Sequence, residues 1–241
     1  PASGPVKLGV PIVDLATGLN LVIGILLALR ERDRSGKGQL VEAALYDTGL
    51  SILHPHSGNY LMGGKLPQLL GNAHPNLAPY DLFQTATRPI FLGIGNEGQF
   101  KKAMAVLNRP EIPTDPRFDN VAKRNANRAE LTAELAAILK DKDGVALAQA
   151  MLEAGVPAGT LNNVAEALGD AQTKARGMVL EAPGYKGIAS PIKMSRSKAS
   201  LRTTPPRFNA AGRAIHKEAG YGDAEIAAME KSGVVTARIK K

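Results

Sequence analysis

The polar and apolar pattern is most one-sided near the start of the chain. Residues 8–13 (LGVPIV) read as a short strand, with Pro11 marking an edge or an irregular backbone. The run from Leu15 to Leu29 that follows is apolar apart from Thr17, Asn20 and two glycines, so it predicts a helix buried on nearly every side. That helix turns amphiphilic only at Arg30-Glu31-Arg32-Asp33-Arg34, where basic residues suit a C-terminus, and Ser35-Gly36-Lys37-Gly38 signals a turn. Leu40–Leu45 reads as a second buried strand and Tyr46–Leu61 as a second helix. Strand, helix and strand at this spacing predict a βαβ unit and therefore a parallel sheet.

Residues 62–79 (MGGKLPQLLGNAHPNLAP) break the periodicity with Gly, Pro and Asn and mark a domain boundary. Beyond it, Tyr80–Thr85 and Pro89–Gly93 predict two strands joined by a turn, and Gln99–Leu107 an amphipathic helix. A Pro- and Asp-rich connector leads to helices over Arg128–Leu139 and Gly144–Ala154. A strand at Pro157–Leu161, a helix at Asn163–Leu168 and apolar stretches at Met178–Leu180 and Ile188–Met194 complete a smaller domain. The predicted division is a large domain over 1–61, a linker over 62–79, a small domain over 80–185, and a return linker with a terminal helix (Asp223–Ser232) over 186–241.

Composition narrows the chemistry. The 241 residues contain no cysteine, which removes disulfides, thiolate nucleophiles and Cys-ligated zinc. A cytoplasmic address follows as the expectation. The apolar run is shorter than the ~20 residues of a bilayer span, so a core helix, without membrane insertion, is expected. The chain opens at Pro1 with no initiator Met and no leader pattern, which predicts that further material lies upstream or on another polypeptide. The formal charge is +8, and 186–217 alone carries eight Lys or Arg and no Asp or Glu. That segment is rich in Ser, Thr and Pro and reads as a solvated connector. With only 4% aromatic residues and no nucleic-acid-binding motif, no nucleic-acid partner is expected.

Few residues remain as candidates for chemistry. Gly93-Ile-Gly95-Asn-Glu-Gly98 matches a dinucleotide fingerprint, but the PEIPTDPRFD stretch after it cannot supply the second strand such a site needs. It reads as a tight strand-to-helix turn. His54, His56 and His74 are the clustered imidazoles, without metal-ligand spacing, so no metal is expected. Neither a G-x-S-x-G elbow nor a Walker loop occurs. That leaves Asp14, the one ionisable group between Lys7 and Arg30. An Asp at a helix start is more often a cap, yet a carboxylate is ionised at neutral pH and can attack without a partner base.

Longer stretches then carry a resemblance. GVPIVDLATGL, ERDRSGKGQLVEAALYD, GNAHPNLAPYDLFQTA, FLGIGNEGQFKKAMAVLNRPE, EAGVPAGTLNNVAEAL and GYGDAEIAAMEKSGVV stand in the order found in the family III CoA-transferases, the CaiB/BaiF family. The resemblance covers almost the whole chain and implies an α/β fold: part of a Rossmann-like large domain with a smaller α+β domain, in interlaced homodimers. It implies that Asp14 is a nucleophile forming an aspartyl-CoA thioester, with CoA and acyl-CoA as substrates, a carboxylic acid as acceptor and no tightly bound cofactor. It also places Asn96 and Glu97 beside the substrate.

The family includes α-methylacyl-CoA racemases, which pair the equivalent Asp with an upstream His and use a Glu at the place of Glu97. Leu15-Ala16-Thr17-Gly18 stands where racemases carry an aromatic residue and several glycines, so transfer is the expected reaction. An isomerase, or an inactive fragment serving in assembly, is the alternative. Two departures stand out: the family's N-terminal half, which supplies most CoA contacts, is not in this sequence, and no Gly-rich active-site loop is evident over 62–79. The CoA-binding residues are therefore not assigned.

Overall fold

The computed structural model describes residue 4 and residues 6–236. The chain forms two compact units, Pro1–Leu161 and Asn162–Lys241.

The first unit begins with α1 (Ile12–Ser35), 24 residues long. Its C-terminus is closed by Gly36 in the left-handed region (φ 74°), whose N–H bonds Arg32 O, with Arg32 and Arg34 in the last turn. The predicted turn and basic C-terminus are both present. The predicted burial is not: Thr17 is the buried residue of α1, and Leu19, Val22, Ile23, Leu26 and Leu27 are exposed. The physical reason lies in what packs there. Within this unit α1 meets α2 (Leu45–Ser51) and the segment before it, where Gly24 leaves room that a Cβ would close to 2.8 Å from Val41 Cγ1. Among the described residues most apolar side chains on the other faces of α1 are exposed. By length and composition α1 is also the one helix among the described residues that could cross a bilayer, longer than the apolar run predicted.

The predicted βαβ unit does not form among the described residues. Residues 8–13 hold no strand, because Pro11 stands at the N-cap and the helix begins at Ile12. Residues 40–44 form no regular element and have no ladder partner among the described residues, and an unpaired segment is not a strand. The long second helix is split into α2 and α3 (His56–Gly63) on either side of Pro55, whose missing N–H cannot continue a helix.

From residue 80 onward the predicted elements agree closely with the structure. Strands β1 (Tyr80–Phe83), β2 (Ile90–Gly93) and β3 (Ala158–Thr160) form an antiparallel sheet in the order β1-β2-β3. Tyr80 faces Gly93 across the first pair and Ile90 faces Thr160 across the second. Ile90 and Leu92 are fully buried while Phe91 and Gly93 are half-buried, the period-2 pattern of a sheet with one covered face. The cover comes from α4 (Glu97–Val106) and α7 (Gly144–Glu153), which contribute Phe100, Met104, Leu147 and Met151 to one core. Beside it run α5 (Val121–Ala126) and α6 (Arg128–Leu139), whose Leu131, Leu135 and Leu139 repeat every four residues and are all buried. Gly144 sits where a side chain would strike the carbonyl of Arg88, so only glycine lets α7 start against the β1–β2 turn.

The second unit holds α8 (Val164–Gly169), α9 (Ala171–Ala175), the hairpin β4 (Val179–Ala182) and β5 (Tyr185–Ile188), α10 (Gly212–Glu218) and α11 (Asp223–Ser232). A capping box between Asn163 and Glu166 starts α8. The basic stretch is free of helix from 189 to 211, as its Pro and Ser content predicts, and α10 occupies its end. Arg213 bonds Glu230 at 2.7 Å, fixing α10 on α11.

Candidate active site

Asp14 is the third residue of α1, not its cap: Pro11 holds the N-cap position and no side chain caps the helix. The first turn is closed by backbone, with Leu15 N–H donating to Pro11 O at 3.1 Å. Below Asp14 the helix is anchored by polar groups. Thr17 Oγ1 donates back to Val13 O at 2.7 Å, and Asn20 Nδ2 donates to Oγ1 of the buried Thr48 on α2 at 3.4 Å. Asp14 itself is exposed, and among the described residues its carboxylate takes no hydrogen bond or ion pair. It is thus an uncommitted carboxylate on the first turn of a long helix, where the dipole favours negative charge and any oxyanion formed beside it.

Glu97 is the opposite case. β2 ends at Gly93, and a turn through Gly95 and Asn96 starts α4. Asn96 caps that helix, accepting from Gln99 N–H at 2.9 Å, while Gln99 Oε1 returns to Gly95 N–H at 2.8 Å. The turn is built by local capping, as the rejection of a nucleotide fingerprint implies. Glu97 Oε1 accepts from Val121 N–H at 2.8 Å, at the start of α5, and Oε2 accepts from Arg124 at 2.6 Å. Arg124 is 1% exposed and also donates to Ala78 O (2.9 Å) and Phe118 O (3.0 Å), stacked over the Phe100 ring at 4.3 Å. Sequence reasoning missed this arginine; its place inside a helix beside Phe118 gave no sign that the ion would be buried.

Desolvation raises the Glu97 pKa, but the bonds from Arg124 and Val121 together with the charge of Arg124 outweigh it, so the carboxyl is held below its ordinary value of 4.5. A depressed acid adds stability above its unfolded pKa and loses it as pH falls through the folded value. Denaturant midpoints of the wild-type chain are therefore expected to fall below about pH 4.5, and Glu97→Gln should flatten that acid limb. A limb unchanged by the substitution would remove Glu97 from the linkage.

Among the described residues no hydrogen bond or ion pair joins Asp14 to Asn96 or Glu97, which adjoin one another at the β2–α4 turn. His54, His56 and His74 gather around one cleft, and no group of three His, Asp or Glu among the described residues has metal-binding geometry.

Comparison with known proteins gives this arrangement a family. The profile of CoA-transferase family III matches residues 1–211. The chain is similar to an acyl-CoA transferase of Fusarium pseudograminearum, 35% identical over 241 residues, covering 96% of this chain and 52% of that protein. It is similar to an acetyl-CoA:oxalate CoA-transferase of Acetobacter aceti, 35% identical over 211 residues, covering 87% and 54%. The crystal structure of a CaiB/BaiF family protein from Brucella suis superposes with a TM-score of 0.71 at 41% identity, covering 89% of this chain and 57% of that one. The chain spans about half the length of the curated relatives it matches. With a mixed α/β fold and a match running through most of its length, the chain belongs to the family III CoA-transferases.

Proposed function

We propose that this chain carries the nucleophile of a CoA-transferase that moves CoA from an acyl-CoA donor to a carboxylic acid. The observation that carries the reading is Asp14: a carboxylate unengaged among the described residues, on the first turn of α1, in a chain of this family. A carboxylate Oδ attacks the donor thioester carbonyl, the C–S bond breaks, and CoA leaves as thiolate from a mixed anhydride. The thiolate attacks the aspartyl Cγ, the donor acid leaves as its carboxylate, and an aspartyl-CoA thioester remains. The acceptor carboxylate attacks the same Cγ and expels the thiolate; the thiolate then attacks the acceptor carbonyl and frees Asp14. No net proton, water or redox partner enters this exchange, which fits acyl-CoA as substrate without a resident cofactor. Each tetrahedral oxyanion profits from backbone N–H donors and the positive end of a helix. Asn96 and Glu97 border the substrate in this reading, with Glu97 fixed by Arg124.

The exposed apolar faces of α1 support a further part of the proposal: the site is completed by polypeptide outside this chain, as in relatives of twice its length. In that arrangement residues 1–61 belong to a Rossmann-like large domain and 80–185 to a small one. The segments 62–79 and 186–217 run between them, and the C-terminal helix packs on the large domain, in an interlaced cytoplasmic homodimer. Full turnover by the 241-residue chain alone would contradict it.

The reaction class is tested with the reconstituted enzyme in deuterium oxide, supplied with an acyl-CoA and an acceptor acid. New acyl-CoA without deuterium at the α-carbon is the expected result. Deuterium at the α-carbon with no acyl transfer would replace transfer by isomerisation.

A further inference from the structure

A cleft of about 840 Å³ in the first unit lies between α3 and the loop before β1, and the functional reading leaves it unused. Its volume falls in the range of small-molecule sites. Its lining includes His54, His56, Asn59, Lys65, His74 and Asn76, with no Asp or Glu among the residues lining it.

The walls are tied together. Asn59 and Asn76 exchange amide bonds, each Nδ2 donating to the other's Oδ1 at 3.1 Å. The Asn76 carbonyl accepts from Asn125 Nδ2, and Arg128 holds the Asn125 amide oxygen at 2.6 Å, so the loop is braced by α5 and α6. His74 N–H donates to Tyr80 O at 2.9 Å, and its ring meets Tyr80 at 5.0 Å. Nδ1 of His74 accepts from Asn76 N–H at 3.1 Å, which leaves the ring proton on Nε2 and makes that nitrogen a donor. Burial, and then the charges of Arg128, His56 and His54, lower the His74 pKa, so the neutral ring keeps this tautomer at neutral pH. Lys65 is exposed and makes no ion pair among the described residues.

We propose that this cleft is a carboxylate subsite, taking a carboxylate of the acceptor acid through His74 Nε2–H and the Lys65 ammonium. Among the described residues the cleft is lined by donors and by the exposed Lys65 ammonium with no carboxylate to repel an anion, and the Asn59–Asn76 pair ties α3 to the loop before β1. That the ligand is the acceptor acid rests on the transferase reading.

The test reads binding alone, in the full chain labelled with ¹³C-histidine and titrated with succinate. The sequence has four histidines, and His216 on α10 serves as an internal control. The expected result is saturable movement of the His54, His56 and His74 ring signals with His216 unmoved. Lys65→Gln, a change at an exposed position, and His74→Gln should each weaken succinate roughly tenfold, the loss of one bond to a charged group. No movement, movement of all four rings together, or unaltered affinity in both variants would overturn the subsite. Inorganic phosphate binding as tightly as succinate would overturn its assignment to a carboxylate. Because neither acyl-CoA nor turnover is involved, failure of the chemistry at Asp14 and failure of this subsite are separately visible.

Discussion

Asp14→Ala is expected to reduce CoA transfer in the reconstituted enzyme by roughly 10⁴-fold or more, the scale seen when a group that works as one unit with the substrate is deleted. The same substitution should cost less than about 1 kcal/mol of stability. Asp14 is exposed, caps nothing and has no partner among the described residues, so only its interaction with the helix dipole is lost. Asp14→Asn keeps the shape and removes the anionic nucleophile, and should behave alike. Steady-state transfer rates beside urea midpoints check both halves. Loss of activity with an equal loss of folding would make Asp14 structural.

Arg124→Ala carries the largest expected effect on stability, about 3 kcal/mol. The guanidinium is 1% exposed, and removing it leaves two carbonyls, Ala78 O and Phe118 O, without their donor and a void over the Phe100 ring. Glu97 is 45% exposed and recovers water, so it adds little to the cost. For a unit of this size the melting temperature should fall by roughly 10 °C. Because Arg124 holds Glu97 against α5, the acid limb of stability should flatten in this variant as it does in Glu97→Gln. A melting temperature within a degree or two of wild type would show that the arginine is not the keystone of the β2–α4–α5 corner.

Legibility differed sharply between the two ends of the first unit. From residue 80 to 160 each predicted strand and helix appears close to its expected bounds, because the core there is self-contained: Ile90, Leu92, Phe100, Leu131 and Met151 bury one another. Before residue 62 the first helix and its Gly36 turn appear as predicted, but its burial and the flanking strands do not. A run such as Leu15–Leu29 states that its faces need cover without stating what covers them, and in this chain most of them stay exposed. Likewise LVEAAL has the composition of a strand, but a strand also needs a neighbour, and none pairs with it here. Asp14 stood out in the sequence as a carboxylate at a helix start, while Asn96 and Glu97 entered only through the family resemblance. The grouping of His54, His56 and His74 was also read from the sequence, and all three line one cleft. The burial of Arg124 was not, since it arises from contacts with Ala78, Glu97 and Phe118, on segments that pattern alone does not bring together.

In the proposed reaction Asp14 is first acylated at its carboxylate and then carries CoA as a thioester. Reconstituted enzyme is incubated with an acyl-CoA donor, quenched with hydroxylamine, digested, and the peptide spanning 8–30 is read by mass spectrometry. The expected result is a hydroxamate on Asp14 that forms only when donor is present and disappears when acceptor acid is added before the quench. Turnover proceeding with Asp14 unmodified, or the adduct on another residue, would contradict it.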